Sequence, residues 1–418
     1  MRIVVVGAGV VGLATAYVLS RKGHAVTVVD QEDGVGKGAS FANGAQLSYS
    51  YVAPLASFHV LPNIPMWLSR RDSPLRFSPS LDPRLWRWSL QFLGSCTGKK
   101  SERSTKRLSQ LANTSRAMLH ELIDQHAISF DYKRTGKLVV YTRRKSFEDG
   151  IRTMLFQKKL GIEQKLMDAN ACFSKAPSLI GTKKNILGGI YTDTDETGDC
   201  YAFCKALAEL IQTPPYNVHF EFRTTVGGLF KRKSQITALD VRGGPIEADA
   251  YVLASGVDTV RIASTAGIRF PIYALRGYSI TTPVSANAKG LCLSITDYDR
   301  KTVYAPLGDR LRVAGMIDIV RPTAPIDRQR ISQLVRQAQN FLPNISEYRS
   351  IEPWFGQRPA TPTGLPIIGG TKFSNLFVNT GQGALGFTLA LGSAWELAKA
   401  MHPSAGSKSI YYENEAYS

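Results

Sequence analysis

The sequence predicts an α/β, Rossmann-like nucleotide-binding domain interrupted by a second domain of different pattern. Three observations carry this. Residues 1–30 read as strand, glycine turn, helix and second strand ending on a carboxylate. Residues 250–256, Ala-Tyr-Val-Leu-Ala-Ser-Gly, form a second apolar run that ends in a small-residue turn. Between them lies a long block with no glycine fingerprint, proline-rich at first and then amphipathic.

The fingerprint is Gly7-x-Gly9-x-x-Gly12, fed directly by the apolar run 2–6. Gly7 permits the tight turn, Gly9 lets the backbone approach a pyrophosphate, and Gly12 lets the helix pack close to the strand. Val10 and Val11 open that helix, whose N-terminal N–H groups and partial positive charge suit phosphate. The run 25–29 then leads to Asp30, placed to accept from the ribose hydroxyls of an adenosine, with Gln31 beside it as a further cofactor-binding candidate.

Composition sets the outer limits. A chain of 418 residues, 44% apolar and 20% charged, can bury a large core and divide into two domains. No apolar run reaches the length of a membrane-spanning helix, and the first strand begins at Arg2, where cleavage of a leader would delete the nucleotide site. A cytoplasmic location is therefore expected. Five scattered cysteines, Cys96, Cys172, Cys200, Cys204 and Cys292, form no metal-ligand spacing, so no metal is predicted. The formal charge of +18 is concentrated in patches such as Lys99-Lys100 and Arg143-Arg144-Lys145, which suit an anionic partner or a merely solvated surface equally.

Taken in order, the chain next presents Ser40, Asn43, Gly44, Ala45 and Gln46 in a glycine-rich loop that supplies close backbone approach and polar contacts. Residues 67–100 combine Trp67, Trp86 and Trp88 with Arg70, Arg71, Arg84 and Arg87, a composition that fits a membrane interface or a helix packed over the second domain. Leu108, Leu111, Met118, Leu119 and Leu122 mark an amphipathic helix. In Asp195-Glu-Thr-Gly-Asp199, Asp199 is placed to cap the helix that follows. Lys231-Arg-Lys233 reads as a hairpin tip, and 303–306 and 311–316 as strands.

Through the fingerprint, Ser40-x-x-Asn43-Gly44-Ala45-Gln46, Asp195-Glu-Thr-Gly-Asp199, Arg276-Gly-Tyr278-Ser and Trp354-x-Gly356-x-Arg358-Pro-x-Thr-Pro-x-Gly364-x-Pro, the chain resembles the D-amino acid oxidase superfamily of FAD-dependent oxidoreductases. Within it, the bacterial D-amino acid dehydrogenase small-subunit group is most similar. That group's loop usually reads Ser-x-x-Asn-Ala-Gly-Gln, with Gly44 and Ala45 of this chain in the opposite order.

The resemblance implies an α/β plus α+β fold, with a Rossmann-like, glutathione-reductase-like FAD-binding domain from 1–50, 195–270 and 350–418. An inserted antiparallel-sheet substrate domain would comprise 51–194 and 271–349. It implies non-covalent FAD held by the residues above together with Val226, Ala254, Ser255, Gly256, Gly381, Gly383, Leu385, Gly386, Phe387 and Thr388. It also implies that Arg358 binds a substrate carboxylate, assisted by Tyr304 or Tyr278. A guanidinium's fixed fork of donors matches that group. The family usually has His where this chain has Gln382, so no proton-transfer role is assigned there.

The activity implied is oxidative deamination of D-amino acids, with hydride transfer to the flavin and electrons passed to a quinone or another acceptor. Peripheral contact with the cytoplasmic face of the inner membrane through 67–100 would accompany the quinone. An oxygen-using oxidase of glycine, sarcosine, D-proline or opine type is the alternative, separated by peroxide formation. A flavoprotein acting on tRNA is a third reading, but no aromatic-interleaved basic groove supports it and no nucleic-acid partner is expected. Neither the side-chain preference nor the oligomeric state follows from the sequence.

Overall fold

The protein is described by a computed structural model covering residues 1–50, 73–78, 80–159, 161–288, 290–320 and 325–402. Two sheets organise it. The first has six strands in the order Ile367–Gly370, Leu376–Thr380, Ala250–Leu253, Arg2–Val6, Ala25–Val29, His219–Glu221. All neighbours run parallel except the first pair.

Alternation along Arg2–Val6 feeds two cores. Ile3 and Val5 join Leu13, Tyr17, Leu207, Leu389 and Leu397 on one face, while Val4 and Val6 join Tyr251, Leu253, Ile262 and Leu376 on the other. Helices Val10–Arg21, Cys200–Gln212 and Gly386–Met401 cover the first face. The hairpin Val226–Arg232 and Gln235–Val241 covers the second, with its turn at the predicted basic tip.

The second sheet has nine strands. Its main path is Glu352–Ala360, Tyr273–Pro283, Arg310–Ile319, Thr302–Leu307, Ser294–Asp297, Lys137–Tyr141, Gly188–Thr192 and Lys165–Asp168, with Leu75–Phe77 paired to Arg310–Ile319. Glu352–Ala360 therefore stands at one end of the sheet. Helix Arg328–Phe341 packs Leu334, Ala338 and Phe341 onto one face of this sheet.

Two placements depart from the expected division at 350 and 51–194. Glu352–Ala360 pairs with Tyr273–Pro283, so the strand carrying Arg358 belongs to the nine-stranded sheet and the chain returns to the parallel sheet only at Ile367. Helix Gly98–Gln125 buries Leu108, Leu111, Leu119 and Leu122 in the core of the nucleotide-binding sheet. It crosses Gly386–Met401 where Gly392 has no side chain; a β-carbon there would lie 3.0 Å from the Ser115 amide nitrogen.

Candidate functional site

The parallel strands bring their carboxyl ends to one edge, where ligands of open α/β sheets bind. Gly7 follows the first strand with φ +111°, and its N–H donates to the Val29 carbonyl at 2.8 Å. A β-carbon on Gly7 would meet the Ala254 carbonyl oxygen at 2.7 Å, and one on Gly12 would press into the Gly7 carbonyl group. Both positions thus need glycine to bring strand, helix and Ala254 together.

Gly9 is the N-cap of helix Val10–Arg21 and has no side chain with which to cap it. The Val10 N–H donates to the buried Ser40 hydroxyl at 3.1 Å. Asp30 accepts from the N–H of Ala8 at 2.6 Å and of Glu32 at 2.9 Å, which ties the glycine turn to the end of the second strand. Gln31 beside it is exposed. Val226 lies nearby in chain and space, through the Thr224 N–H bonded to the Asp30 carbonyl, and its own carbonyl accepts from Arg261 at 2.8 Å.

At the neighbouring strand ends, Ser255 and Gly256 meet Gly381 through a bond of the Thr380 hydroxyl to the Gly256 carbonyl at 3.0 Å. Gly256 and Gly383 have positive φ and open space where side chains would stand. Leu385 precedes helix Gly386–Met401, again without a side-chain cap. Phe387 turns into the core against Phe130 and Phe203, and the Thr388 hydroxyl accepts from the Ser48 N–H at 3.1 Å. Gln382 donates to Asn379 at 2.7 Å.

The loop carrying Ser40 to Gln46 joins this edge to the nine-stranded sheet. The Ser279 hydroxyl donates to the Ala42 carbonyl at 2.7 Å, Arg312 donates to the Asn43 carbonyl at 3.0 Å, and Gln46 donates to Ser294 and Thr296. Asn43 accepts from the Ala45 N–H at 2.9 Å, and Gly44 faces Ala314. Ala45 has φ +53°, so the left-handed position falls on alanine.

That sheet face holds Arg358. The pairings Leu275 with Arg358, Gly277 with Gly356 and Ser279 with Trp354 put Arg358, Gly277, Trp354 and Ser279 on the face that touches the Ala42 loop. The Arg358 guanidinium lies over Gly277; its one hydrogen bond among the described residues is to the Met316 carbonyl, at 3.5 Å. No described carboxylate pairs with it, and burial pulls its pKa down to about 10.

Tyr278 and Tyr304 do not join it. Side chains alternate along a strand, so Tyr278 points away from the face of Gly277. Its hydroxyl donates to Asp318 at 2.8 Å, within a buried cluster where Asp318 also accepts from Arg330 at 2.6 Å and from Arg76. Burial, then Asp318, raises the Tyr278 pKa to about 12. Tyr304 is fully buried on the same rear face, stacked on Phe341 at 4.6 Å. Its hydroxyl has no hydrogen-bond partner among the described residues, and burial pushes its pKa well above the usual value. Sequence reasoning missed Gly277 and Trp354, both already visible as members of the motifs beside Tyr278 and Arg358.

A family model described as FAD dependent oxidoreductase matches residues 2–400. The chain belongs to this family. Among curated relatives, D-amino acid dehydrogenase 2 of Ralstonia nicotianae is 41% identical over 407 residues, covering 95% of this chain and 96% of its own. D-amino acid dehydrogenase 2 of Pseudomonas aeruginosa is also 41% identical, over 95% of this chain and 94% of its own. Among solved structures, glycine oxidase from Geobacillus kaustophilus shares the fold with a TM-score of 0.75 at 20% identity, over 97% of this chain and 96% of that one.

FAD is this flavoprotein family's cofactor, and the residues present fit a dinucleotide. The two helix N termini, whose N-cap residues Gly9 and Leu385 make no side-chain cap bond, turn donors and positive dipole ends toward anionic groups, and among the described residues nothing fills the space at Gly256 and Gly383.

Proposed function

We propose that this flavoprotein oxidises free D-amino acids to 2-oxo acids and ammonia as a dehydrogenase, passing electrons to a quinone or another acceptor than oxygen. The observation that carries the reading is the Arg358 guanidinium, desolvated and without a carboxylate partner among the described residues, on the sheet face joined to the cofactor loop. The names of the relatives at 41% identity support the substrate class and the word dehydrogenase.

Non-covalent FAD would be held by Gly7, Gly9, Gly12, Val10 and Val11 at the pyrophosphate and by Asp30 with Gln31 and Val226 at the adenosine. Ser40 to Gln46, Ala254 to Gly256 and Gly381 to Thr388 would surround the remainder. When bound, FAD supplies an acceptor for the hydride of the substrate α-carbon. Arg358 supplies the paired donors that fix the substrate carboxylate and so set which bond faces the acceptor. Ser279 and Arg312 hold the sheet face to the 42–43 loop, which keeps that carboxylate at a constant height above the cofactor site. The mechanism asks no proton transfer of Tyr278 or Tyr304, since the α-amino group enters neutral.

Anaerobic bleaching of the bound flavin by a panel of D- and L-amino acids, glycine, sarcosine and D-proline tests the reading. Reduction by D-amino acids with recovery on adding quinone supports it. Fast recovery in air with stoichiometric peroxide instead makes the protein an oxidase of the alternative type.

A second observation bears on the acceptor. Among the described residues no helix is long and apolar enough to cross a membrane. Helix Pro83–Ser95 buries Leu85 and Trp88 against Tyr273 and Leu275, yet exposes Trp86, Leu90 and Leu93 on one stripe. Leu90 is 70% exposed and Leu81, just before the helix, 93%, beside exposed Arg84, Arg87, Lys99 and Lys100. Residues 67–72 of the expected contact lie outside the described residues. This apolar stripe with a basic rim favours peripheral docking on an anionic bilayer. Loss of sedimentation with phosphatidylglycerol vesicles in Leu90→Ser would support it; equal sedimentation would remove it.

A further inference from the structure

Arg358 does not stand alone on its sheet face. Two residues earlier in register, Gly356 lies directly opposite Gly277, and the side chains from either end of the strand fold inward over this glycine pair. A β-carbon on Gly277 would sit 2.6 Å from Cζ of Arg358, and one on Gly356 would sit 2.7 Å from Cζ3 and 2.8 Å from Cζ2 of Trp354. Directly paired β-carbon positions lie about 5 Å apart. The benzo edge of the indole and the guanidinium therefore lie side by side over one glycine pair, on a stretch of sheet made only of backbone. The opposite end of this face is closed by Leu275 and Tyr273 under Leu85 and Trp88.

We infer that Trp354 is a specificity-determining residue, its indole forming the apolar wall against which the substrate side chain packs while Arg358 holds the carboxylate. This rests on the function proposed above. A rigid aromatic wall beside the carboxylate anchor selects D-amino acids with aliphatic or aromatic side chains. It disfavours ionised side chains, because the benzo edge of an indole can neither pair nor hydrogen-bond with a charge packed against it. The two glycines are the sequence requirement of this arrangement, because any side chain on either would take the place of the indole or of the guanidinium.

The test compares kcat/KM for D-alanine, D-leucine and D-aspartate in the wild-type holoenzyme and in Trp354→Phe, Trp354→Ala and Gly356→Ala. A hydrophobic pocket discriminates by about tenfold or more for each well-packed group. Trp354→Ala is expected to lower the D-leucine to D-alanine ratio by about that factor, through KM rather than kcat, and to narrow the margin over D-aspartate. Trp354→Phe restores most of the ratio. Gly356→Ala, which displaces the ring and keeps it, moves the ratio in the same direction as Trp354→Ala. Equal losses on D-leucine and D-alanine, or an unmoved ratio in flavin-loaded variants, overturn the role of Trp354. If the wild type is reduced by no D-amino acid, the function it rests on falls instead.

Discussion

The guanidinium of Arg358 occupies the space of a side chain at Gly277, its Nε 3.0 Å and its Cζ 2.6 Å from where a β-carbon would be. Gly277→Ala must therefore push the anchor off the strand without removing it. A displacement of about 1 Å in a positioning group costs about a hundredfold in rate. A drop of that size in kcat/KM, with flavin content and melting temperature close to wild type, is the expected result.

The same arginine predicts a pH dependence. Its pKa is drawn down to about 10 because burial disfavours the charged form, and a bound carboxylate restores the charge. Binding of benzoate, which carries no amine and is ionised throughout, should be constant through neutral pH and weaken about tenfold per unit above pH 10. The sign for stability is opposite. The unfolded chain binds the proton more tightly than the fold does, so this group's penalty is present at neutral pH and is relieved as pH rises above 10. Titration of benzoate by flavin difference spectra reads the first effect directly.

Tyr278 and Tyr304 should prove dispensable for catalysis. Tyr278→Phe removes one hydrogen bond to the Asp318 carboxylate and is expected to cost about 1.5–3 kcal/mol of stability. Tyr304→Phe removes a hydroxyl that has no partner among the described residues and should leave stability unchanged or raise it. Both variants should keep kcat/KM close to wild type, since side-chain alternation puts both hydroxyls on the sheet face away from Arg358. A hundredfold loss in either would return that tyrosine to the site.

Asp318 is fully buried and accepts from Tyr278, Arg330 and Arg76. Asp318→Asn leaves two guanidinium groups without their shared carboxylate. Breaking a buried pair from one side costs about 3–5 kcal/mol, enough to move a urea midpoint clearly. The loss should appear in unfolding curves of both flavin-loaded and flavin-free protein, because the cluster lies behind the sheet.

Ala45 tests the loop in which Gly44 and Ala45 stand in the unusual order. An alanine at φ +53° bears a left-handed backbone penalty of about 1 kcal/mol, which Ala45→Gly removes at some cost in unfolded-chain entropy. A net gain of a few tenths to about 1 kcal/mol in thermal unfolding of the flavin-free protein is expected.

How much of this was legible in the sequence depended on range. Gly7, Gly9, Gly12 and Asp30 lie within one continuous strand, turn, helix and second strand, Asp30 directly after its end, so their meeting follows from local pattern. Arg358 was legible from its motif. Which residues join it was not, because strand parity separates Gly277 from Tyr278 only once Leu275 is known to pair with Arg358. Tyr304 depends on a further pairing, with Val313, three strands from Arg358. The amphipathic pattern of Gly98–Gln125 announced a buried face and could not say that Gly392 offers it a partner in the other sheet's core.

The strand Glu352–Ala360 stands at the end of its sheet, and an end strand is an open template for any extended chain that drifts against it. Pro353 and Pro359 bracket Arg358 there, and neither has an N–H to offer. The Ala360 carbonyl is already taken by the Trp88 indole at 2.8 Å, and Ala360 is bridged to Gln382. Pro359 also confines the backbone of Arg358 to an extended conformation. The prolines that hold the anchor's backbone thus also make this margin a poor seed for aggregation, leaving the floor beside Arg358 to small molecules.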